Sequence, residues 1–114
     1  MDFDKIRSVC MSFPGATEGV KWENHICFMV AEKMFCITTI DDGAQDVSLK
    51  VTDEQFALLT EERNGIVPAP YMARNKWVRI ERYKNLSDQE WKELLRQSYE
   101  LIRAKLPRKV QQSL

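Results

Sequence analysis

The single histidine, His25, stands two residues after Glu23, and an imidazole beside a carboxylate has the parts of a general base. Little else in the chain supports catalysis. The four glycines are scattered and form neither GxGxxG nor GxxxxGKS/T, so no phosphate-cradling loop is present. His25 with Glu18, Glu23 or Asp41 lacks the spacing of a metal site. Asp41-Asp42 before Gly43 is turn chemistry rather than a carboxylate dyad. Cys10, Cys27 and Cys36 match neither CxxC nor a zinc pattern, and each lies between apolar neighbours, as buried reduced thiols do. The expectation is a protein with no enzymatic activity, no metal and no cofactor.

Charge is more informative. Seventeen Lys and Arg balance seventeen Asp and Glu, which excludes a strongly basic nucleic-acid coat protein. The balance is uneven along the chain. Residues 1–62 carry five basic and twelve acidic side chains, a balance of −7, and residues 63–114 carry twelve basic and five acidic, a balance of +7. The densest basic run is Arg74, Lys76, Arg79, Arg82 and Lys84, interrupted by Glu81 alone and interleaved with Tyr71, Trp77 and Tyr83. Cations beside aromatics can contact phosphates and stack on bases. Lys21 and Lys50 join the candidate set if the sheet brings them close. A strand with outward Arg and Lys also serves as the guard of a sheet edge. Trp77 is equally readable as a core anchor, and the two halves as neutralising each other across the fold.

The elements that must position these residues follow from periodicity. Phe3, Ile6 and Cys10 fall on one helical face, with Asp2 as a cap and Pro14-Gly15 as a stop. Residues 16–25 are polar apart from Val20 and Trp22 and read as a loop with a short extended piece. ICFMV and MFCITTI, split by Ala31-Glu32-Lys33, read as two strands joined by a tight turn, and Val47, Leu49 and Val51 alternate as a third strand. Thr52 with Gln55 is a capping box, Phe56 and Leu59 form an inner stripe, and Asn64-Gly65 ends that helix. Pro68 and Pro70 exclude a helix interior or central strand from IVPAPYMARN. Trp77–Ile80 is a short strand. Ser87 with Glu90 opens the longest helix, which carries Trp91, Leu94, Leu95, Ile102 and Leu106 on one side and closes at Pro107.

At 114 residues the chain is one domain, 1–114, with its core in 3–107 and a frayed tail at 108–114. Short strand connections imply an antiparallel meander, and the helical stripes must cover one of its faces. The fold class is α+β in two layers, in the order α-β-β-β-α-β(-β)-α. No run approaches a membrane span, and the acidic start lacks signal-peptide character, so a cytoplasmic monomer is expected.

FPGATEGVKW, VSLKVT, PAPYMARNKWVRIE and LSDQEW, in this order over residues 3–107, resemble the MmcQ/YjbR family. The first and third segments are the specific ones, and the third places Pro68, Pro70, Tyr71, Asn75, Lys76 and Trp77 on the family pattern. The chain departs from that pattern at Ala73, where relatives carry a histidine. The resemblance implies the same α+β fold, similar to that of secretion chaperones, and a bacterial DNA-binding role through a double-wing likeness. It brings no catalytic residues. The expected partner is DNA, bound weakly, with a salt slope of roughly −3.6 for about four phosphate contacts. The alternative is a protein-interaction module that receives a partner segment on a sheet face or groove.

Overall fold

The structure, a computed structural model, describes residues 1–41 and 43–114. Asp42, read above as part of the Asp41–Gly43 turn, lies outside the described residues. Helix α1 (Phe3–Met11) is capped by Asp2, whose carboxylate accepts from Lys5 N at 2.8 Å. Four strands follow, β1 (Ala16–Lys21), β2 (His25–Val30), β3 (Lys33–Thr39) and β4 (Val47–Lys50). Helix α2 (Asp53–Glu62) starts at the Thr52–Gln55 capping box and gives way to β5 (Ile66–Pro68). Gly65 between them adopts a φ of +81° and lies against the Asn85 side chain, where a Cβ would collide. After β6 (Trp77–Ile80) comes α3 (Asp88–Arg103), opened by the Ser87–Glu90 capping box.

All six strands form one antiparallel sheet in the order β1-β2-β3-β4-β6-β5. β1 stands where a loop with a short extended piece is expected, and β5 is the optional second strand of the order α-β-β-β-α-β(-β)-α. β1 offers almost no apolar alternation because it is an edge strand, half-exposed along its length and held by backbone pairing to β2. β5 is three residues long and contains Pro68, which is tolerated because β5 is the opposite edge. The tail is not frayed. Residues Arg108–Gln112 form a fourth helix, α4, and Val110 and Leu114 pack against the core. Gln111 holds it in place, donating from Nε2 to Leu106 O at 2.7 Å and accepting from Arg103 through its own carbonyl at 3.0 Å.

The core lies between the sheet and the helices. Ile6 and Cys10 of α1 and Trp91, Leu94, Leu95 and Tyr99 of α3 bury against Phe28, Phe35, Leu49 and Val78. Ser98 fastens α3 to the sheet, accepting from Lys50 N at 2.9 Å and donating to Phe35 O at 2.6 Å. α2 lies beside α3, joined to it by Gln55–Gln97 hydrogen bonds and by the Arg63–Glu90 pair. The helices thus share one side of the sheet, and its other face is available for the basic segment. Among the described residues no helix is long and apolar enough to cross a membrane.

Candidate nucleic-acid interface

Alternation along β6 sends Val78 and Ile80 into the core and Trp77 and Arg79 to the opposite face. Strand register then sets Arg79 beside Ser48, Ser48 beside Ile37, and Ile37 beside Cys27, a row across the face that the helices leave open. β6 lies between β4 and β5, so Arg79 guards no sheet edge. That removes the edge-protection reading for this residue.

The connection from β5 to β6 folds over part of the open face. Ala69 N donates to Trp77 O at 3.0 Å, and Ala69 and Trp77 pack with Cys27 and Ile37 in a second, smaller core. Tyr71, at a φ of +65°, points wholly into solvent, and a 3-10 turn at Ala73–Asn75 ends in Lys76 at a φ of +63°. A tyrosine is rarely found in that left-handed region, which costs it on the order of 1–3 kcal/mol.

The candidate residues separate into groups. Arg79, Arg82 and Lys84 come together around a concave depression of about 640 Å³ that His25, Asp46 and Glu81 also line. Arg74 and Lys76 lie at the other end of β6, with the Lys76 ammonium 5.0 Å from the centre of the Phe56 ring. Lys21 is exposed on β1, the far edge of the sheet from β5. Two residues have to be withdrawn as direct contacts. Trp77 is 4% exposed and is a core anchor, not a stacking platform. Lys50 is 8% exposed, and its ammonium donates to Asn75 O. Burial, then the like charge of Lys105, with Lys76 adding to it, hold Lys50 below the usual lysine range.

The two charged halves of the chain do not cancel through ion pairs. Among the described residues three pairs form, Arg7–Glu18, Arg63–Glu90 and the Met1 amino group with Asp88, and only the last joins one half to the other. None involves a cation between Arg74 and Lys84. Arg79 is the most conspicuous of these: its guanidinium makes no hydrogen bond to a described residue, and its Nε is buried without a partner. His25 Nδ1 is the other buried side-chain atom in that state.

Residues absent from the sequence-based set also enter the site. Trp22 (63% exposed, φ +52°) stands edge-on to His25 at 5.7 Å, and Asp46, Ser48 and Met72 line a second cavity beside it. The signal for Trp22 is its place as an aromatic in the otherwise polar run 16–25. Asp46 and Ser48 carried no signal, because only strand pairing brings them to Arg79. No three His, Cys, Asp or Glu side chains gather as a metal site among the described residues.

The family model described as YjbR matches residues 11–101. The fold is similar to the crystal structure of a Deinococcus radiodurans protein with a DUF419 domain, at a TM-score of 0.89 and 25% identity, covering 98% of this chain and 86% of that one. It is also similar to that of a Pseudomonas syringae protein, at a TM-score of 0.72 and 19% identity over 89% of this chain and 98% of that one, a likeness of fold alone. No curated protein matches the chain.

Proposed function

Because the chain belongs to the YjbR family, whose resemblance carries an expectation of DNA binding, we propose that it is a non-enzymatic DNA-binding protein. Its contact surface is the open sheet face together with the turns at both ends of β6. The supporting observation is the set of uncompensated cations there: Arg74, Arg79, Arg82 and Lys84 take part in no ion pair among the described residues. Arg74, Arg82 and Lys84 are exposed and Arg79 is half-buried, and cations without ion-pair partners reach phosphate oxygens without first breaking an internal salt bridge. Asp46 and Glu81 among them limit the local potential. Binding is therefore weak and strongly dependent on salt.

Four phosphate contacts give a salt slope of about −3.6, so a short labelled duplex loses roughly a hundredfold in affinity between about 50 and 200 mM salt. Replacing Arg74, Arg82 and Lys84 together by Ala leaves Arg79 alone and brings the slope to about −0.9. Fluorescence anisotropy measures both quantities. An unchanged slope in the triple variant overturns this contact surface. Salt-independent binding overturns phosphate recognition, and no binding even at low salt points to a protein partner in the groove.

A further inference from the structure

Two cavities on the open face share one wall. His25, Asp46 and Arg79 line both. On one side of that wall is the depression that also holds Arg82 and Lys84. On the other is a space of about 410 Å³ walled by apolar and aromatic groups, including Trp22, Ile37, Tyr71 and Met72. The two aromatics are the largest exposed apolar side chains of this face, and both are held in left-handed backbone. Trp22 takes its left-handed φ from the β1–β2 turn, as Ala31 and Glu32 do in the β2–β3 turn, and together with Tyr71 it sets two aromatic rings at the cavity rim, a setting suited to covering a planar group.

The shared wall specifies what the planar group must present. The Arg79 guanidinium makes no hydrogen bond among the described residues, and its Nε is buried there without an acceptor. Asp46 is fixed by Thr39, whose hydroxyl donates to Oδ2 at 2.7 Å, and Oδ1 takes no hydrogen bond from a described residue. Arg79 and Asp46 line the same space yet form no ion pair with each other, so a donor array and an acceptor both stand open. His25 Nδ1 adds a third polar atom with no partner. A guanine ring answers this set: its O6 and N7 accept from an arginine, and its N1–H and N2–H₂ groups donate to a carboxylate.

The geometry points to a guanine nucleotide site spanning both cavities, with the base in the aromatic space against Arg79 and Asp46 and the phosphate beside Arg82 and Lys84. Two sources share this chemistry, a free mononucleotide and an unpaired nucleotide of a strand. Only the second depends on the DNA-binding reading.

Trp22 supplies the readout, because Trp77 and Trp91 are buried at 4% and 0% exposure. Titration with GMP quenches the exposed tryptophan, and AMP binds about tenfold or more weakly because it lacks the O6 acceptor and N2 donor. Arg79→Met abolishes the GMP response. Tyr71→Ala, at a wholly exposed position that cannot unfold the protein, weakens it about tenfold. Arg82→Ala lowers affinity for GMP and leaves that for guanosine unchanged. Equal responses to GMP and AMP, no response to GMP, or a GMP response that survives in both Arg79→Met and Tyr71→Ala overturn the site.

A single-stranded oligothymidine carrying one G, compared with the same sequence as a duplex, separates the sources. Preference for the single strand assigns an unpaired base, and binding of GMP alone assigns a free nucleotide. If the duplex binds with its full salt slope while GMP does not bind, this inference fails and the DNA reading stands. If GMP binds and no strand does, the DNA reading fails and the site stands.

Discussion

On the helix side of the sheet, Trp91 donates its indole N–H to Tyr83 O at 2.8 Å, Tyr99 donates its hydroxyl to Pro14 O, and Ser98 bonds on both sides of its oxygen. Phe13, Phe35 and Tyr99 pack with ring centroids 4.9 to 6.0 Å apart. On the open side, 2 buried polar atoms have no partner among the described residues, and Trp22 and Tyr71 are exposed in left-handed backbone. Both faces belong to the same strands, so composition is not what separates them. One face has been closed by contacts within the chain, whereas the other holds polar and aromatic groups that no described residue satisfies. Outside the small core of Cys27, Ile37, Ala69 and Trp77, groups left in that state add little to stability and are free to serve binding.

The widest expected gap is between two tryptophans. Trp91→Ala removes a fully buried ring and costs about 3–5 kcal/mol in urea unfolding. Trp22→Ala removes an exposed ring and stays within about 0.5 kcal/mol of the parent. Similar losses at both positions would mean that the open face is structural after all. A smaller contrast compares two buried polar groups. Ser98→Ala leaves Lys50 N and Phe35 O each short of a partner and costs about 1–3 kcal/mol. Arg79→Met keeps most of the side-chain volume while deleting an unsatisfied buried Nε, so stability holds or rises even as binding is lost. If Arg79→Met destabilises as much as Ser98→Ala, the guanidinium has a partner within the fold.

The helix side was largely readable from the sequence because its signals are local. Asp2, Thr52 and Ser87 each cap a helix as their spacing predicts, and Trp91, Leu94 and Leu95 fall on the buried face. β1 and α4 carry no local signature because each is stabilised by what it docks on rather than by its own apolar pattern. The basic run from Arg74 to Lys84 was equally local and was found. The strand at Trp77–Ile80 already sets Arg74 and Lys84 at its opposite ends, and Trp77 takes the core-anchor alternative because the Ala69 turn covers it. The shared wall of the two cavities joins residues from β2, β6 and the loop before β4, which come together only through the successive pairings of β2 with β3, β3 with β4 and β4 with β6.

Arginine itself gives the last form of the comparison, since Arg63 on the helix side is paired and Arg79 on the open side is not. Arg63 donates to Glu90 from Nη1 at 2.8 Å and from Nη2 at 3.2 Å, and Ser87 N adds a bond at 2.9 Å. The guanidinium, followed by the Ser87 amide, draws the Glu90 carboxyl from 4.5 down to about 2. A carboxyl with a depressed folded-state pKa stabilises the fold above its unfolded value and loses that contribution as pH falls through the folded one. The Glu90 side chain is 39% exposed, so solvent screening reduces the pair to about 1 kcal/mol. Glu90→Gln keeps the cap and removes the charge. It is expected to cost about 1 kcal/mol at pH 7 and roughly half that or less by pH 3. Arg79→Met in the same assay is expected to show no such dependence, because no carboxylate pairs with Arg79 among the described residues. A Glu90→Gln cost that stays constant from pH 7 to 3 would assign the stabilisation to capping alone and erase the difference between the two arginines.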